Sequence, residues 1–315
     1  MESGTESEEK VAEAFGAAGE VPVFHAMPGS LYVVATPLGN ARDLTFRALD
    51  ILRTADVIAA EDTRVSAPLL RRLGVATRLT SLHAHNEARR SATVIEALRA
   101  GKSVALVTDA GTPAISDPGA RLVRAVHEAG FAVVPIPGPS AVATAVSAAG
   151  LAAERFAFLG FLPQQAKARR ALLDAMGALP LALVIYEAPH RVRASVDDLA
   201  AALGGDRTLV VGRELTKAFE TIARMPLREA GAWLDADANR LRGEFVLVVD
   251  AAAAVAPVEG VALPPEADAW LRALVAELPP ARAARAIAAA SGWPRDALYA
   301  RAMALRGDAA DDPPT

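Results

Sequence analysis

Between Val107 and Ala120 the chain reads Thr108-Asp109-Ala110-Gly111-Thr112-Pro113-Ala114-Ile115-Ser116-Asp117-Pro118-Gly119. Two carboxylates and three hydroxyls stand there among paired glycines and prolines, a richer loop than a plain connection requires. Three more polar clusters recur upstream: Thr36–Asn40, Glu61–Arg64 and His83–Asn86. Each follows a short apolar run that reads as a strand. In a parallel sheet such loops emerge at one edge, so residues far apart in sequence converge on one ligand. Asp117 has a competing reading, since an Asp before proline makes a good helix N-cap with Pro118 at the first helical position. On that reading Asp117 is chiefly the cap, and Asp109 to Pro113 hold the ligand.

The residue types narrow the ligand classes without choosing one. Thr36-Pro37-Leu38-Gly39 lacks the glycine spacing of a dinucleotide fingerprint, and no Walker A lysine is present. A phosphate cradle is disfavoured. Carboxylates, hydroxyls and carbonyls suit a ligand that carries a ribose and a cationic group; S-adenosylmethionine, with its ammonium and sulfonium, has both. His83-x-His85 has no further ligand cluster beside it, so no metal is expected.

The elements that would position these loops alternate. Leu31–Ala35, Val57–Ala60, Leu79–Leu82, Val104–Val107 and Ala132–Ile136 read as strands, with helices over 44–53 (capped by Asp43), 66–73, 87–99 and 120–129. This rhythm predicts an α/β domain on a parallel sheet over 29–138. Pro137-Gly138-Pro139-Ser140 breaks it, and a second α/β domain is expected over 139–250. There the apolar runs 208–212 and 219–223 lie too close for a crossover helix, which predicts antiparallel pairs and a mixed sheet. Residues 1–28 read as a disordered arm, 251–265 as a linker, 266–306 as a helical module and 307–315 as a tail. The module fits a helix-turn-helix or a plain helical hairpin.

Composition sets the outer bounds. The chain has 315 residues, of which 52% are hydrophobic, and no cysteine. Disulfides, thiolate metal sites and a Cys nucleophile are therefore excluded. No run is apolar and long enough to span a bilayer, which leaves a soluble cytoplasmic protein as the expectation. The net charge of −4 conceals an asymmetry: residues 21–306 carry 32 basic and 28 acidic side chains. A mildly basic body with acidic ends is compatible with an anionic partner.

Several motifs, taken together and in order, resemble the tetrapyrrole-methylase superfamily. They are Leu31–Asn40, Ala60-Glu61-Asp62-Thr63-Arg64, His85-Asn86-Glu87, the Asp109–Gly119 loop, Pro137–Ser140, Gly160-Phe161-Leu162-Pro163, Tyr186–Arg191, Arg213–Lys217 and Gly243-Glu244. More narrowly they resemble the branch that methylates a cytidine ribose 2′-hydroxyl of small-subunit ribosomal RNA. The small-molecule members often have Gly-Asp-Pro where this chain has Thr108-Asp109-Ala110, a departure that favours the RNA branch.

The resemblance implies a two-domain fold, S-adenosylmethionine between the domains and a homodimer. It places Leu38, Gly39, Asp109, Gly111, Thr112, Pro113, Ser140 and Ala141 at the cofactor, with Phe161, Leu162 and Gly243 closing over it. Glu61, Asp62 and His85 are the candidate general bases, because a ribose hydroxyl must lose its proton as it attacks. Arg64, Asn86, His190, Arg191, Arg213 and Lys217 are the candidate RNA contacts. A porphyrinoid methylase and a catalytically silent RNA-binding protein are the alternatives.

Overall fold

In a computed structural model the described residues are 23–83, 86–177, 179–251 and 263–308. They form two compact units that divide after Asp250. The first unit holds two five-stranded sheets. Strands β1 (Ser30–Val34), β2 (Val57–Ala60), β3 (Leu79–Ser81), β4 (Val104–Val107) and β5 (Ala132–Ile136) pair in parallel in the order β3-β2-β4-β1-β5. Helices α1 (Phe46–Thr54), α2 (Thr63–Arg72), α3 (Glu87–Arg99) and α4 (Ala120–Glu128) make the crossovers.

Alternation along β1 explains the two covered faces. Tyr32 and Val34 pack with Ile51, Leu52 and Ile58 on one side, while Leu31 packs with Leu98, Leu106 and Leu122 on the other. A strand apolar on both faces is what a doubly covered parallel sheet requires, and all four residues of β4 are buried.

The second sheet has the order β6-β7-β10-β8-β9, built from β6 (Phe156–Phe161), β7 (Ala182–Glu187), β8 (Thr208–Arg213), β9 (Thr221–Pro226) and β10 (Phe245–Val249). Only β6 and β7 run parallel; the other neighbours are antiparallel, including the close pair β8 and β9. One face packs under α6 (Ala166–Gly177), α7 (Val192–Leu203) and α8 (Leu227–Asp235), with Leu173, Val196, Leu199 and Leu234 against Ile185, Val211 and Leu247. The opposite face takes α5 (Ala141–Ala149) through Val142, Ala145 and Ala149 against Val184, Val210, Val246 and Val248. The residues that leave the first sheet thus start a helix that belongs to the second. The fold class is the expected one: α/β, a parallel sheet followed by a mixed one, with a separate helical unit after them in the chain.

The second unit packs α9 (Pro265–Val275), α10 (Pro280–Ser291) and α11 (Arg295–Asp308) around Leu271, Ala284, Ile287, Leu298 and Ala302. Trp270 and Trp293 stack with ring centroids 5.1 Å apart. Gly292 ends α10 at φ +72°, a left-handed position where glycine carries no Cβ penalty.

Two local expectations are corrected. The first helix begins at Phe46 with Thr45 as its cap, because Asp43 closes a short 3₁₀ turn that the Asn40 side chain opens. Residues 23–28 were expected in a disordered arm, yet Phe24, Ala26 and Met27 donate their N–H groups to Asp50, Thr54 and the Tyr32 hydroxyl. Backbone donors satisfied by side chains of the folded body order a segment that composition alone reads as polar. Residues 1–22, most of the expected linker and residues 309–315 lie outside the described residues.

Candidate active site

The loop after β4 is held by its neighbours through backbone and hydroxyl groups. Thr36 and Gly111 exchange two N–H···O=C bonds of 2.9 Å each, an isolated antiparallel bridge between the loops after β1 and β4. Gly111 sits at φ +77°, and an added Cβ there would stand 3.3 Å from Leu38 Cδ2. The Thr36 hydroxyl donates to Thr108 O at 3.0 Å, and that of Thr112 donates to Pro139 O at 3.0 Å. The Asp62 N–H donates to Asp109 Oδ1 at 3.1 Å, and the Asp109 N–H donates to Glu61 Oε2 at 3.4 Å. Four of the polar segments singled out above, including Pro137–Ser140, are therefore in mutual contact at one sheet edge.

Asp117 is not the cap of α4, which corrects its chief sequence reading. The cap position is Gly119, and the donors of the first turn go instead to Glu87, whose Oε1 accepts from Gly119 and Arg121 at 3.0 Å and from Leu122 at 3.2 Å. With the helix end satisfied from α3, Asp117 is released to the cleft. Ala114 and Ser116 take left-handed φ values of 68° and 66° to turn the loop there, a strain of roughly 1–2 kcal/mol per residue.

A cavity of about 300 Å³ opens between the two sheets. Leu38, Ala110, Gly111, Thr112, Ile115, Ser116 and Asp117 line it from the parallel-sheet side, with Ser140 and Ala141 where the chain passes to the mixed sheet. Phe161, the turn Tyr186–Pro189, Leu215 and Glu244–Val246 line it from the mixed-sheet side. Of the expected cofactor residues, Leu38, Gly111, Thr112, Ser140, Ala141 and Phe161 thus face the cavity. Gly39, Asp109, Pro113, Leu162 and Gly243 do not line it. A Cβ on Gly39 would lie 2.2 Å from Lys217 Cγ, and one on Gly243 2.5 Å from Glu214 Cγ, so both glycines permit close approach.

Sequence reasoning missed Asp117, Tyr186, Glu187 and Glu244 as cavity residues. The last three sit in motifs quoted for other roles, and their strand positions at the ends of β7 and before β10 are the signal that was open to use.

The carboxylates differ sharply. Burial pushes Asp117 up to about 6, with the charges of Glu61, Asp109 and Glu244 adding to the effect. Among the described residues it has no hydrogen-bond or ion-pair partner. Glu61 is also raised, first by burial and then by the charges of Asp109 and Asp62, against a lowering from the Asp109 N–H. Asp62 is held down at about 2 by hydrogen bonds from the Arg64 guanidinium and backbone N–H. His85 lies outside the described residues.

The expected RNA contacts fall into two groups. Arg64, whose side chain is 89% exposed, and His190, exposed in the turn after β7, face outward. Asn86 accepts the His83 N–H at 2.9 Å. Lys217 Nζ lies 2.9 Å from both Glu214 and Glu244. Arg213 donates to Arg242 O at 3.1 Å and to Phe219 O at 3.3 Å, and Arg191 pairs with Glu187 at 3.2 Å.

Fold and cleft together define a class. Solved structures similar to this chain include cobalt precorrin-4 methyltransferase (TM-score 0.54, 19% identity, covering 70% of this chain and 94% of that one). Another is diphthine synthase (TM-score 0.54, 18% identity, 70% and 90%). Identities this low speak for the fold alone.

Two family models match: Tetrapyrrole (Corrin/Porphyrin) Methylases over residues 30–231 and the RsmI C-terminal HTH domain over 261–306. Ribosomal RNA small subunit methyltransferase I of Escherichia coli O157:H7 is 47% identical, covering 89% of this chain and 96% of its own. That of Pseudomonas aeruginosa is 45% identical, covering 89% and 98%. The chain belongs to the tetrapyrrole methylases, in the ribosomal RNA small subunit methyltransferase I family.

Proposed function

We propose that the protein transfers a methyl group from S-adenosylmethionine to the ribose 2′-hydroxyl of a cytidine in small-subunit ribosomal RNA. The observation that carries the donor's identity is Asp117: a half-buried carboxylate without a partner among the described residues, raised to about 6, in a cavity otherwise largely apolar. A cation restores what burial takes from such a group. The chemistry of the residues present fits this donor. Asp117 and Glu244 would hold its positive groups, Leu38, Ile115, Phe161, Leu215 and Val246 its apolar surface, and the hydroxyls of Thr112 and Ser140 its polar edge. When bound, S-adenosylmethionine supplies an electrophilic methyl on a sulfonium. No cation has to be stabilised in the transition state, so the protein's main task is to orient and dry the cleft, worth up to ~7–11 kcal/mol where alignment is good.

The attacking hydroxyl gives up a proton, and Glu61 is better suited to take it than Asp62. Burial raises Glu61, whereas Asp62 is committed to Arg64 and to capping α2. General-base help of this kind is worth roughly 10²–10⁴-fold. Arg64 and His190, both outward-facing, are the proposed contacts to the RNA backbone, which positions the strand while the target base is presented unpaired. We take the working assembly as a homodimer in the cytoplasm. Among the described residues no helix is long and apolar enough to cross a membrane.

The test is tritiated methyl transfer to small-subunit particles, free ribosomal RNA and porphyrinoids, followed by mapping of the labelled nucleotide. Label on a cytidine ribose is expected. Label on a porphyrinoid alone refutes the RNA reading, and tight RNA binding without transfer marks a silent binder.

A further inference from the structure

We infer that Arg191 is a positioning residue for the cavity's second wall: it ties the turn after β7 to the chain leaving β6, and so sets the fit of the methyl donor. The inference rests on the donor reading of the cavity given above. Arg191 precedes α7, with a side chain 17% exposed beside a fully buried Glu187 carboxylate, Nε to Oε1 3.2 Å. Its Nη2 donates to Leu162 O and, at 3.3 Å, to Pro163 O. Leu162 and Pro163 directly follow Phe161, and Glu187, Ala188 and Pro189 form the turn itself. Phe161 and all three turn residues line the cavity. A single guanidinium therefore joins two chain segments that touch the same ligand space.

Both anchors are fixed from behind. The Ser195 hydroxyl donates to Glu187 Oε2 at 2.5 Å, and the Ala188 N–H donates to Oε1 at 2.8 Å. Pro163 O and Gln164 O also accept from Arg169, at 3.3 and 3.2 Å, and Arg169 is held by Asp198 at 2.6 Å. Three successive carbonyls, Leu162 to Gln164, are thus taken by two arginines. The order beyond Phe161 comes from side chains rather than from sheet pairing. A phosphate that recruited Arg191 would leave Glu187 buried and unpaired, a costly state. The planar fork also explains the residue type, since a lysine ammonium cannot span a carboxylate and two carbonyls in one plane.

The experiment measures S-adenosylmethionine affinity by calorimetry on the full chain, beside the salt dependence of binding to a small-subunit ribosomal RNA fragment. A wild-type chain that binds no S-adenosylmethionine refutes the donor reading itself. With wild-type binding established, Arg191→Ala is expected to weaken the donor about tenfold. Arg191→Lys is expected to weaken it about threefold, a partial rescue, and the loss should fall in the donor KM rather than in kcat. The RNA salt slope should keep its wild-type value. Wild-type donor affinity in either variant overturns the proposal, as does a salt slope about one unit shallower in Arg191→Ala. Should Arg191→Ala fail to fold, Arg191→Lys alone decides on the same readouts.

Discussion

The two walls of the cavity are built on opposite principles. The wall from the parallel sheet is pinned by backbone, through the Thr36–Gly111 bridge and two threonine hydroxyls, which leaves Asp117 unspent. The wall from the mixed sheet is pinned by charge: Arg169, Arg191, Arg213 and Lys217 are all engaged by carbonyls or carboxylates of their own domain. A loop held by its own backbone keeps its side chains for a ligand. A loop held by arginines uses theirs up. A basic residue after a strand is thus no guide to an anionic partner until its carbonyl neighbours are known.

The contrast breaks first at Asp117. Among the described residues lining the cavity, Asp117 is the carboxylate without an ion pair, and Asp117→Asn should lower donor affinity by about 100-fold, or ~3 kcal/mol, in calorimetry. In the same variant the melting midpoint at pH 7.5 should rise by about 2–4 °C. The sign follows from linkage. A carboxyl raised in the fold keeps its proton between 3.8 and about 6 while the unfolded chain loses it, so stability falls across that window and stays lower above it. Donor affinity runs the other way: it should be flat above about pH 6 and fall toward tenfold per pH unit below it, as the free carboxylate becomes protonated. An unchanged affinity for Asp117→Asn would remove the distinction between the walls.

Glu87→Ala comes next. Three N–H donors of the α4 start lose their acceptor in a buried place, so denaturant unfolding should show a loss of ~2 kcal/mol. Donor affinity should fall with it, because Asp117 is then drawn back toward the helix end. Gly39→Ala is expected to cost less, ~1 kcal/mol, since the atom it meets belongs to the flexible Lys217 stem rather than to backbone. Its mark is a shifted salt dependence of donor binding as Lys217 leaves Glu244. The smallest effect is Arg64→Ala: donor affinity stays put, RNA binding weakens a few-fold at moderate salt, and the salt slope drops by about one. A large loss of donor affinity there would mean that Arg64 serves the cavity.

Much of the parallel sheet was legible because its period is local. The strands Val57–Ala60 and Val104–Val107 were read with the boundaries the structure has, and the crossing of chain from one sheet to the other falls at Pro137–Ser140. The mixed sheet was legible in kind through the short spacing between Val211 and Ile222, whose strands β8 and β9 pair antiparallel with Val211 opposite Ala223. What escaped was partnership at a distance. Asp117-Pro118 has every local mark of a cap, and only the fold brings Glu87, thirty residues earlier, to take that role. Arg191 stands in a basic motif, yet its acceptors are carbonyls of another strand's exit. Such competitions are settled by which acceptor the fold delivers, and residue types alone do not rank them.

The bridge between Thr36 and Gly111 has a kinetic meaning. Two reciprocal backbone bonds close the floor of the cleft as soon as β1 and β4 lie side by side. The donor meets a surface already set, with little chain left to order. Its arrival should therefore be limited by entry through the mouth, and its residence time by the grip of Asp117 on the same wall.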